Sequence, residues 1–291
     1  MTNENVKVGF VGLGNMGGPM ATNLAKAGKK PMVFDLRTDA VRELETHGAA
    51  GAATLADLVR ECDVICTCVL YDHQAEEIFL GPSGIVTLGR AGQVASIHST
   101  ILPATVVKIA EAAAKKGISI VDAPVSGGSV RSRNGELTLM IGGEDSAIER
   151  LWPFFDIMGK ELIRVGAVGA GQVVKLGNNI MALCNQIVHM EAIRFVKAHG
   201  VTQEALDRVA QVSTGASWAA SNYDHFDRYG VEHTLAGTPE LPHRLGKDLR
   251  YAVSVAQDKW TYMPTVSLCS QLLPGMFEQR WAENLRRAKK S

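Results

Sequence analysis

Short apolar runs rich in β-branched residues recur through the first half of the chain, separated by stretches whose apolar residues fall at helical spacing. Seven runs predict strands, at Val6 to Val11, Met32 to Phe34, Val64 to Leu70, Val94 to Ile97, Ile118 to Val121, Leu137 to Ile141 and Leu162 to Val165. Strands and helices that alternate in this way form mostly parallel sheets with helices on both faces. We therefore predict an α/β fold with a doubly wound sheet in this half.

The pattern changes after Val165, where the strand-like runs end. From Gln172 to about Ala198 the apolar residues spread around more than one face, as in a long helix buried on several sides. Three more helices are predicted at Gln203 to Val212, Leu245 to Gln257 and Val266 to Arg287. Glycines between residues 166 and 171 break the sheet pattern. We therefore predict a sheet domain at residues 1–165 and an all-α domain at residues 166–291, joined by the long helix.

The first predicted strand runs directly into a glycine-rich turn. The turn reads Gly12-Leu13-Gly14-Asn15-Met16-Gly17. Gly12 permits a tight turn, Gly14 lets the backbone approach a pyrophosphate, and Gly17 lets the next helix pack close to the strand. The free N–H groups and the positive end of that helix attract the anion. In this context the turn predicts a Rossmann domain that binds a dinucleotide.

An acidic residue stands where the second strand of such a unit ends. Asp35 lies 18 residues after Gly17, and its carboxylate can accept hydrogen bonds from both ribose hydroxyls of an adenosine. A 2′-phosphate would meet this carboxylate as a like charge, so NAD is the predicted cofactor. Arg37 leaves NADP open, because its cation could pair with that phosphate. The alternative interpretation makes Asp35 a turn residue and Arg37 a solvated surface charge.

A loop after the fifth predicted strand carries polar groups suited to an anion. Ser126, Gly127 and Gly128 offer a hydroxyl and successive unencumbered N–H groups, which together could hold a carboxylate. The alternative is an ordinary glycine-rich loop. The loop is therefore a candidate substrate site.

The long helix carries a polar stripe near its start. Lys175, Asn178 and Asn179 share one face of an otherwise apolar helix, and buried polar groups need partners. We interpret them as facing a cleft between the domains, where Lys175 exchanges a proton with a substrate hydroxyl and Asn179 orients the substrate. The alternative is a lysine that reaches past apolar surface to solvent, with asparagines bonded to nearby backbone.

Composition excludes several classes of protein. With 291 residues, 46% of them hydrophobic, and a formal net charge of zero, the chain is predicted to be soluble and globular with two sizeable cores. Its charges are interspersed, so no nucleic-acid partner is expected. It lacks an apolar run long enough to span a membrane and begins without a signal-peptide pattern, so we expect no membrane contact and a cytoplasmic location.

The cysteines and histidines show no metal-ligand spacing, so no metal site is predicted. The five cysteines fit a reducing compartment. Cys66 and Cys68 alternate onto one face of a predicted strand, where free cysteine behaves as a small buried hydrophobe.

Four segments together resemble one enzyme family. They are GLGNMGGPMATNL, DAPVSGG, GAGQVVKLGNN and the later Lys247-Asp248-Leu249. In this order and spacing, from about Val6 to Pro264, they resemble the β-hydroxyacid dehydrogenases. The resemblance implies an NAD-dependent oxidoreductase that oxidises a small 3-hydroxy acid to its semialdehyde, or the reverse, with hydride passing to nicotinamide. It also implies a homodimer or homotetramer.

The resemblance assigns roles to particular residues. Lys175 would be the catalytic proton-transfer residue, and Asn179 would help to orient the substrate. The substrate carboxylate would be held by Ser126, Gly127 and Gly128. Cofactor contacts would come from Gly12, Leu13, Gly14, Asn15, Met16, Gly17, Asp35, Leu70, Thr100 and Lys247.

Departures from the family pattern fall where the substrate would be selected. Tyr71 follows Leu70 where proline is common, and Arg131 and Arg133 stand where small residues are frequent. If either arginine reaches the site, a diacid substrate is the corresponding prediction. Two alternatives stay open: an NADPH-dependent aldehyde or imine reductase on the same scaffold, and a non-catalytic nucleotide-sensing module. Lys175 argues against the imine reductase, because enzymes of that kind generally place an acidic or aromatic donor there.

Overall fold

The computed structural model describes residues 6–225, 227 and 241–288. Within them nine strands form one sheet: β1 (Val8–Val11), β2 (Met32–Phe34), β3 (Ala50–Gly51), β4 (Val64–Thr67), β5 (Val94–Ile97), β6 (Ser119–Asp122), β7 (Val125–Ser126), β8 (Leu137–Gly142) and β9 (Gly159–Gly166). All seven predicted strands are present. The two others, β3 and β7, have two residues each and are too short to give a sequence pattern.

The strands follow the order β3-β2-β1-β4-β5-β6-β8-β7, and β9 pairs with β8. All pairs from β3 to β6 are parallel, and β1 and β4 lie side by side, which creates the switch point at which such sheets bind ligands. The sheet is not parallel at the end formed by β6, β8 and β7, because β8 is antiparallel to both of the other strands. The predicted Rossmann sheet is therefore confirmed as mostly parallel.

The helices of the described residues are α1 (Gly17–Lys26), α2 (Thr38–Glu45), α3 (Leu55–Glu61), α4 (Asp72–Leu80), α5 (Ile85–Leu88), α6 (Pro103–Ala114), α7 (Gly128–Arg133), α8 (Asp145–Met158), α9 (Ala170–Ala198), α10 (Gln203–Ala210), α11 (Trp218–Ser221), α12 (Leu241–Asp258) and α13 (Pro264–Ala288). Two apolar layers pack on the sheet. Phe10 lies in one layer with residues of α1 and α8, and its neighbour Val11 lies in the other with residues of α3 to α6. Alternate strand residues thus point to opposite faces, and the doubly wound prediction is confirmed.

The chain divides into two compact units, residues 1–175 and residues 176–291, and the division lies within α9. The second unit has its own core, built by Leu183, Ile187, Leu249, Leu273 and Phe277 of α9, α12 and α13. It is all-helical in the part that the structure describes. None of the described helices is both long and apolar enough to cross a membrane.

The cysteines lie in apolar surroundings, and none of the five is exposed. Cys66 belongs to the layer that contains Phe10, and Cys68 packs against the same layer, as their alternation predicts. Burial raises the pKa of the Cys62, Cys66 and Cys68 thiols to about 12. These thiols are packing groups.

One histidine is locked inside the first unit. His98 follows β5 and is 2% exposed, and its ring stacks on Phe10 and meets the edge of Phe155. Nδ1 lies 2.9 Å from the carbonyl oxygen of Ala123, which can only accept, so this nitrogen carries the proton. Nε2 lies 3.0 Å from the Ser96 hydroxyl and accepts from it. Burial lowers the pKa of His98 to about 4.

We expect His98 to make the fold acid-sensitive. The pKa of His98 in the folded protein lies below its ordinary value of 6.5, so the unfolded chain takes up a proton more readily than the folded one. The free energy that the neutral ring contributes to folding is therefore fully present above pH 6.5 and is lost as the pH falls towards 4. Between pH about 7 and about 4.5, wild type should lose roughly 2 kcal/mol more free energy of unfolding than His98→Gln. Urea unfolding of both proteins at the two pH values measures this. Equal losses in the two proteins would contradict the expectation.

Candidate functional site

The glycine turn has the geometry that its sequence predicts. Gly12 has a φ of +90°, and a β-carbon there would overlap the carbonyl oxygen of Cys68 at the end of β4. A β-carbon on Gly17 would overlap the carbonyl oxygen of Gly12, so α1 packs directly against the turn. A β-carbon on Gly14 would meet no atom within 4 Å. The turn is therefore closed on the protein side and open where a pyrophosphate would approach.

Asp35 lies directly after β2 and is joined to the glycine turn. Its carboxylate accepts the Leu13 N–H at 2.6 Å through Oδ2 and the Arg37 N–H at 2.8 Å through Oδ1. Nη2 of Arg37 donates to the carbonyl oxygen of Leu13 at 2.9 Å, and its Nε lies 3.6 Å from Asp35 Oδ1. Each carboxylate oxygen keeps a lone pair that a ribose hydroxyl can use.

The loops after β4 and β5 are tied together at the same edge of the sheet. The Val69 N–H donates to Oγ of Ser99 at 2.7 Å, and Thr100 follows directly, partly buried. Leu70 is 43% exposed, and its N–H donates to the side chain of Gln74. Leu70 and Thr100 thus lie at the carboxyl ends of neighbouring parallel strands.

The start of α9 is fixed by a buried carboxylate at the end of β6. Asp122 is fully buried, and its two oxygens accept the N–H groups of Gly169 at 2.7 Å and of Gln172 at 2.9 Å. Burial raises the pKa of Asp122 to about 6, and these donors oppose the shift. The side chain of Gln172 donates to the carbonyl oxygen of Ser99 at 2.9 Å and accepts the Ile101 N–H at 3.1 Å.

This network joins the loop that carries Thr100 to the helix turn that precedes Lys175. Sequence reasoning missed both Asp122 and Gln172. Two signals could have found them: an acid directly after an apolar strand, and a lone amide in the apolar first turn of a helix.

The serine-glycine loop keeps its polar groups available. Gly127 and Gly128 have φ values of +137° and +68°, in the region that favours glycine. The Ser126 hydroxyl and the N–H groups of both glycines form no hydrogen bond with any residue that the structure describes. Three donors are therefore ready for an anion.

The helix that follows this loop is anchored beside the glycine turn. Oγ of Ser132, on α7, donates to the carbonyl oxygen of Met16 at 2.9 Å. Nδ2 of Asn23, on α1, donates to the carbonyl oxygen of Ser132 at 2.8 Å. The predicted substrate loop and the predicted dinucleotide turn are therefore held next to each other.

The polar residues of the second unit form a cluster of their own. Nδ2 of Asn179 donates to Oδ2 of Asp248 at 2.7 Å, and Nζ of Lys247 lies 3.1 Å from Oδ1 of the same carboxylate. Lys247 also lies over the ring of Tyr251, 4.6 Å from its centre. In the first unit Lys175, four residues before Asn179 on α9, is 8% exposed. The structure thus brings Asn179 and Lys247 together through Asp248.

Among the residues that the structure describes, no three histidine, cysteine or acidic side chains are grouped so that they could hold a metal ion. The candidate groups of the first unit are the glycine turn, the serine-glycine loop and the buried Lys175.

Comparisons with known proteins fit this arrangement. Residues 7–169 match the family described as the NAD binding domain of 6-phosphogluconate dehydrogenase. Residues 169–284 match the family described as NAD-binding of NADP-dependent 3-hydroxyisobutyrate dehydrogenase. The chain therefore carries NAD(P)-binding domains, and these matches do not separate NAD from NADP.

Three curated relatives align over most of the chain. The 3-hydroxyisobutyrate dehydrogenase of Pseudomonas aeruginosa is 37% identical over 269 residues, which cover 91% of this chain and 90% of the relative. The NAD-dependent L-serine dehydrogenase of the same organism is 34% identical, with coverage of 95% and 94%. The 2-(hydroxymethyl)glutarate dehydrogenase of Eubacterium barkeri is 32% identical, with coverage of 94% and 89%.

A solved structure shares the fold. The 3-hydroxyisobutyrate dehydrogenase from Salmonella typhimurium aligns with a TM-score of 0.78 and 26% identity, covering 93% of this chain and 94% of that one. The relatives are hydroxyacid dehydrogenases, which supports an oxidoreductase. On its two family matches and these relatives, the chain belongs to the β-hydroxyacid dehydrogenases, the family that includes 3-hydroxyisobutyrate dehydrogenase.

Proposed function

We propose that this chain is an NAD-dependent dehydrogenase that oxidises a small 3-hydroxy acid to its semialdehyde, or reduces that semialdehyde. One observation carries the proposal: the hydrogen bond from Ser132 to Met16, which holds the serine-glycine loop beside the dinucleotide turn. A carboxylate bound by the free donors of that loop would lie next to a bound dinucleotide. Fixing both reactants in this way lowers the entropic part of the barrier.

NAD rather than NADP is supported by the surroundings of Asp35. In our proposal its carboxylate accepts the two ribose hydroxyls, and a 2′-phosphate would face a negative charge there. Arg37 is the nearby cation that could offset this repulsion, but its guanidinium already donates to Leu13 and lies close to Asp35. Leu70, Thr100 and, at the nicotinamide end, Lys247 complete the proposed cofactor contacts.

The chemistry divides between the cofactor and the chain. NAD, when bound, supplies the hydride acceptor. Ser126, Gly127 and Gly128 hold the substrate carboxylate, and Asn179 orients the substrate. The Lys175 amine accepts the proton of the substrate hydroxyl during oxidation, and the ammonium form returns a proton during reduction.

Assembly into a homodimer or homotetramer belongs to the same proposal. Four apolar side chains on α9, seven residues apart, are 42–65% exposed: Val174, Met181, Val188 and Phe195. An exposed apolar stripe of this kind favours burial against another surface. A second copy of the chain is the occupant we propose, as the family resemblance implies.

The first test is hydride transfer, followed by the absorbance of the reduced nicotinamide. The names of the relatives suggest three substrates: 3-hydroxyisobutyrate, L-serine and 2-(hydroxymethyl)glutarate. We expect turnover of at least one of them, with kcat/KM for NAD exceeding that for NADP by a factor of at least about 10, or ~1.4 kcal/mol. A 2-hydroxy acid is the negative control. NAD binding without turnover of any 3-hydroxy acid would instead favour a nucleotide-sensing module.

A further inference from the structure

Arg131 lies against the loop that we propose holds the substrate carboxylate. It is on α7, four residues after Gly127. A β-carbon placed on Gly127 would lie 2.8 Å from Cβ and 3.0 Å from Cδ of Arg131. The apolar stem of the arginine therefore covers this glycine, and the guanidinium begins one bond beyond Cδ. A cation is thus placed beside the three free donors of the loop.

The guanidinium of Arg131 has no partner among the described residues. It forms neither an ion pair nor a side-chain hydrogen bond with any of them, although the residue is partly buried. Arg133, two residues on, is exposed and has an interaction of its own. A partly buried cation without a counter-charge is unfavourable, and an anionic ligand would remove that cost. Arg131 is the arginine of this pair that is free to bind a ligand.

The helix that carries Arg131 is held in place. Ser132, the next residue, donates to Met16 and accepts from Asn23, so α7 is fastened to both the glycine turn and α1. A rigid support lowers the cost of ordering the side chain when a ligand binds. A guanidinium also suits a carboxylate, because two parallel N–H groups can bind its two oxygens.

We propose that Arg131 binds a second carboxylate of the substrate, so that the chain prefers a 3-hydroxy dicarboxylate to a 3-hydroxy monocarboxylate. The first carboxylate occupies the donors of Ser126, Gly127 and Gly128, and the second pairs with the guanidinium beside them. The inference rests on the proposed function, because it uses the same loop. The competing anion is the pyrophosphate of the cofactor, since α7 is also anchored to the glycine turn.

The test compares Arg131→Gln with Arg133→Gln, which removes the same charge from the same helix. Each variant and wild type are assayed with NAD and either 2-(hydroxymethyl)glutarate, a dicarboxylate, or 3-hydroxyisobutyrate, a monocarboxylate. We expect Arg131→Gln to lower kcat/KM for the dicarboxylate by a factor of about 10–100, mainly through KM. The monocarboxylate value should change less than about threefold, and Arg133→Gln should leave both values near wild type.

Binding measurements distinguish a failure of the proposed Arg131 subsite from a failure of the proposed reaction. Calorimetric titration of the dicarboxylate into the NADH complex should give a dissociation constant that rises about 10–100-fold in Arg131→Gln, with or without turnover. This result would support the subsite even if the proposed reaction is wrong. If kcat/KM in Arg131→Gln fell equally for both substrates and NADH bound more weakly, the guanidinium would be assigned to the pyrophosphate of the cofactor. That result would overturn the proposal. Unchanged selectivity, or no binding of the dicarboxylate to wild type, would also overturn it.

Discussion

Replacing Lys175 with methionine should lower kcat by a factor of about 10²–10⁴ and leave the dissociation constant of NAD within about twofold. Methionine preserves the apolar packing of a residue that is 8% exposed, and it removes the amine that accepts the hydroxyl proton in our proposal. Lys175→Arg should be about as slow, because a guanidinium stays protonated near neutral pH and cannot act as a base. Steady-state formation of NADH, together with NAD titration, measures both effects.

Lys197 offers a matched control for this experiment. It lies on the same helix and is exposed, and its Nζ bonds only weakly to Gln203, at 3.3 Å. Lys197→Met should retain wild-type kcat. If Lys175→Met also retained kcat, another group would have to accept the proton, and the assignment of Lys175 would be wrong. Thermal unfolding of each variant separates lost chemistry from lost folding.

Replacing Asp122 with alanine should lower the free energy of unfolding by about 2–5 kcal/mol. The substitution leaves the N–H groups of Gly169 and Gln172 without acceptors at a fully buried position. It also loosens the turn that precedes Lys175, so kcat should fall even where the protein remains folded. Urea unfolding and steady-state kinetics on the same samples measure the two effects.

The loss caused by Asp122→Ala should depend on pH in a particular direction. The folded pKa of about 6 lies above the ordinary value of 3.8, so the contribution of this group is largest below 3.8 and declines as the pH rises through 6. The free energy of unfolding that Asp122→Ala loses relative to wild type should therefore be roughly 1 kcal/mol larger at pH about 5 than at pH about 8. The control is Asp145→Ala, which removes an exposed acid from the first turn of α8. It should lower the free energy of unfolding by less than about 0.5 kcal/mol. A difference that grows with pH would contradict the account.

The sequence predicts most of the sheet, because buried parallel strands leave apolar runs. It does not predict strand direction, and the antiparallel placement of β8 was therefore not anticipated. It also gave too short a β9, predicted at Leu162 to Val165 and observed at Gly159–Gly166. Lys160 and Glu161 are exposed near the start of this strand, so its first residues lack the apolar pattern on which the prediction depends.

In the candidate site, too, features encoded by a local sequence pattern are predictable, and contacts between distant residues are not. The glycine turn is predictable, because its backbone geometry excludes any β-carbon at Gly12 and Gly17. Asp122 and Gln172 were missed because their partners are distant in sequence: the bond between them joins residues 50 positions apart. The contact of Asn179 with Asp248 spans 69 positions and is equally invisible to local patterns. The catalytic role of Lys175 remains a prediction.

The packing of the cysteines decides how this protein can be labelled. A thiol with a pKa of about 12 is ionised in only about one molecule in 10⁵ at neutral pH, and maleimides and haloacetamides react with the thiolate. Burial gives Cys62, Cys66 and Cys68 such values, and burial together with the neighbouring Cys269 gives Cys184 the same. Cys269 is only 5% exposed, so a labelling reagent has little access to it. A fluorophore or spin label could therefore be attached through Lys197→Cys, at an exposed position of α9, while the native cysteines stay in place.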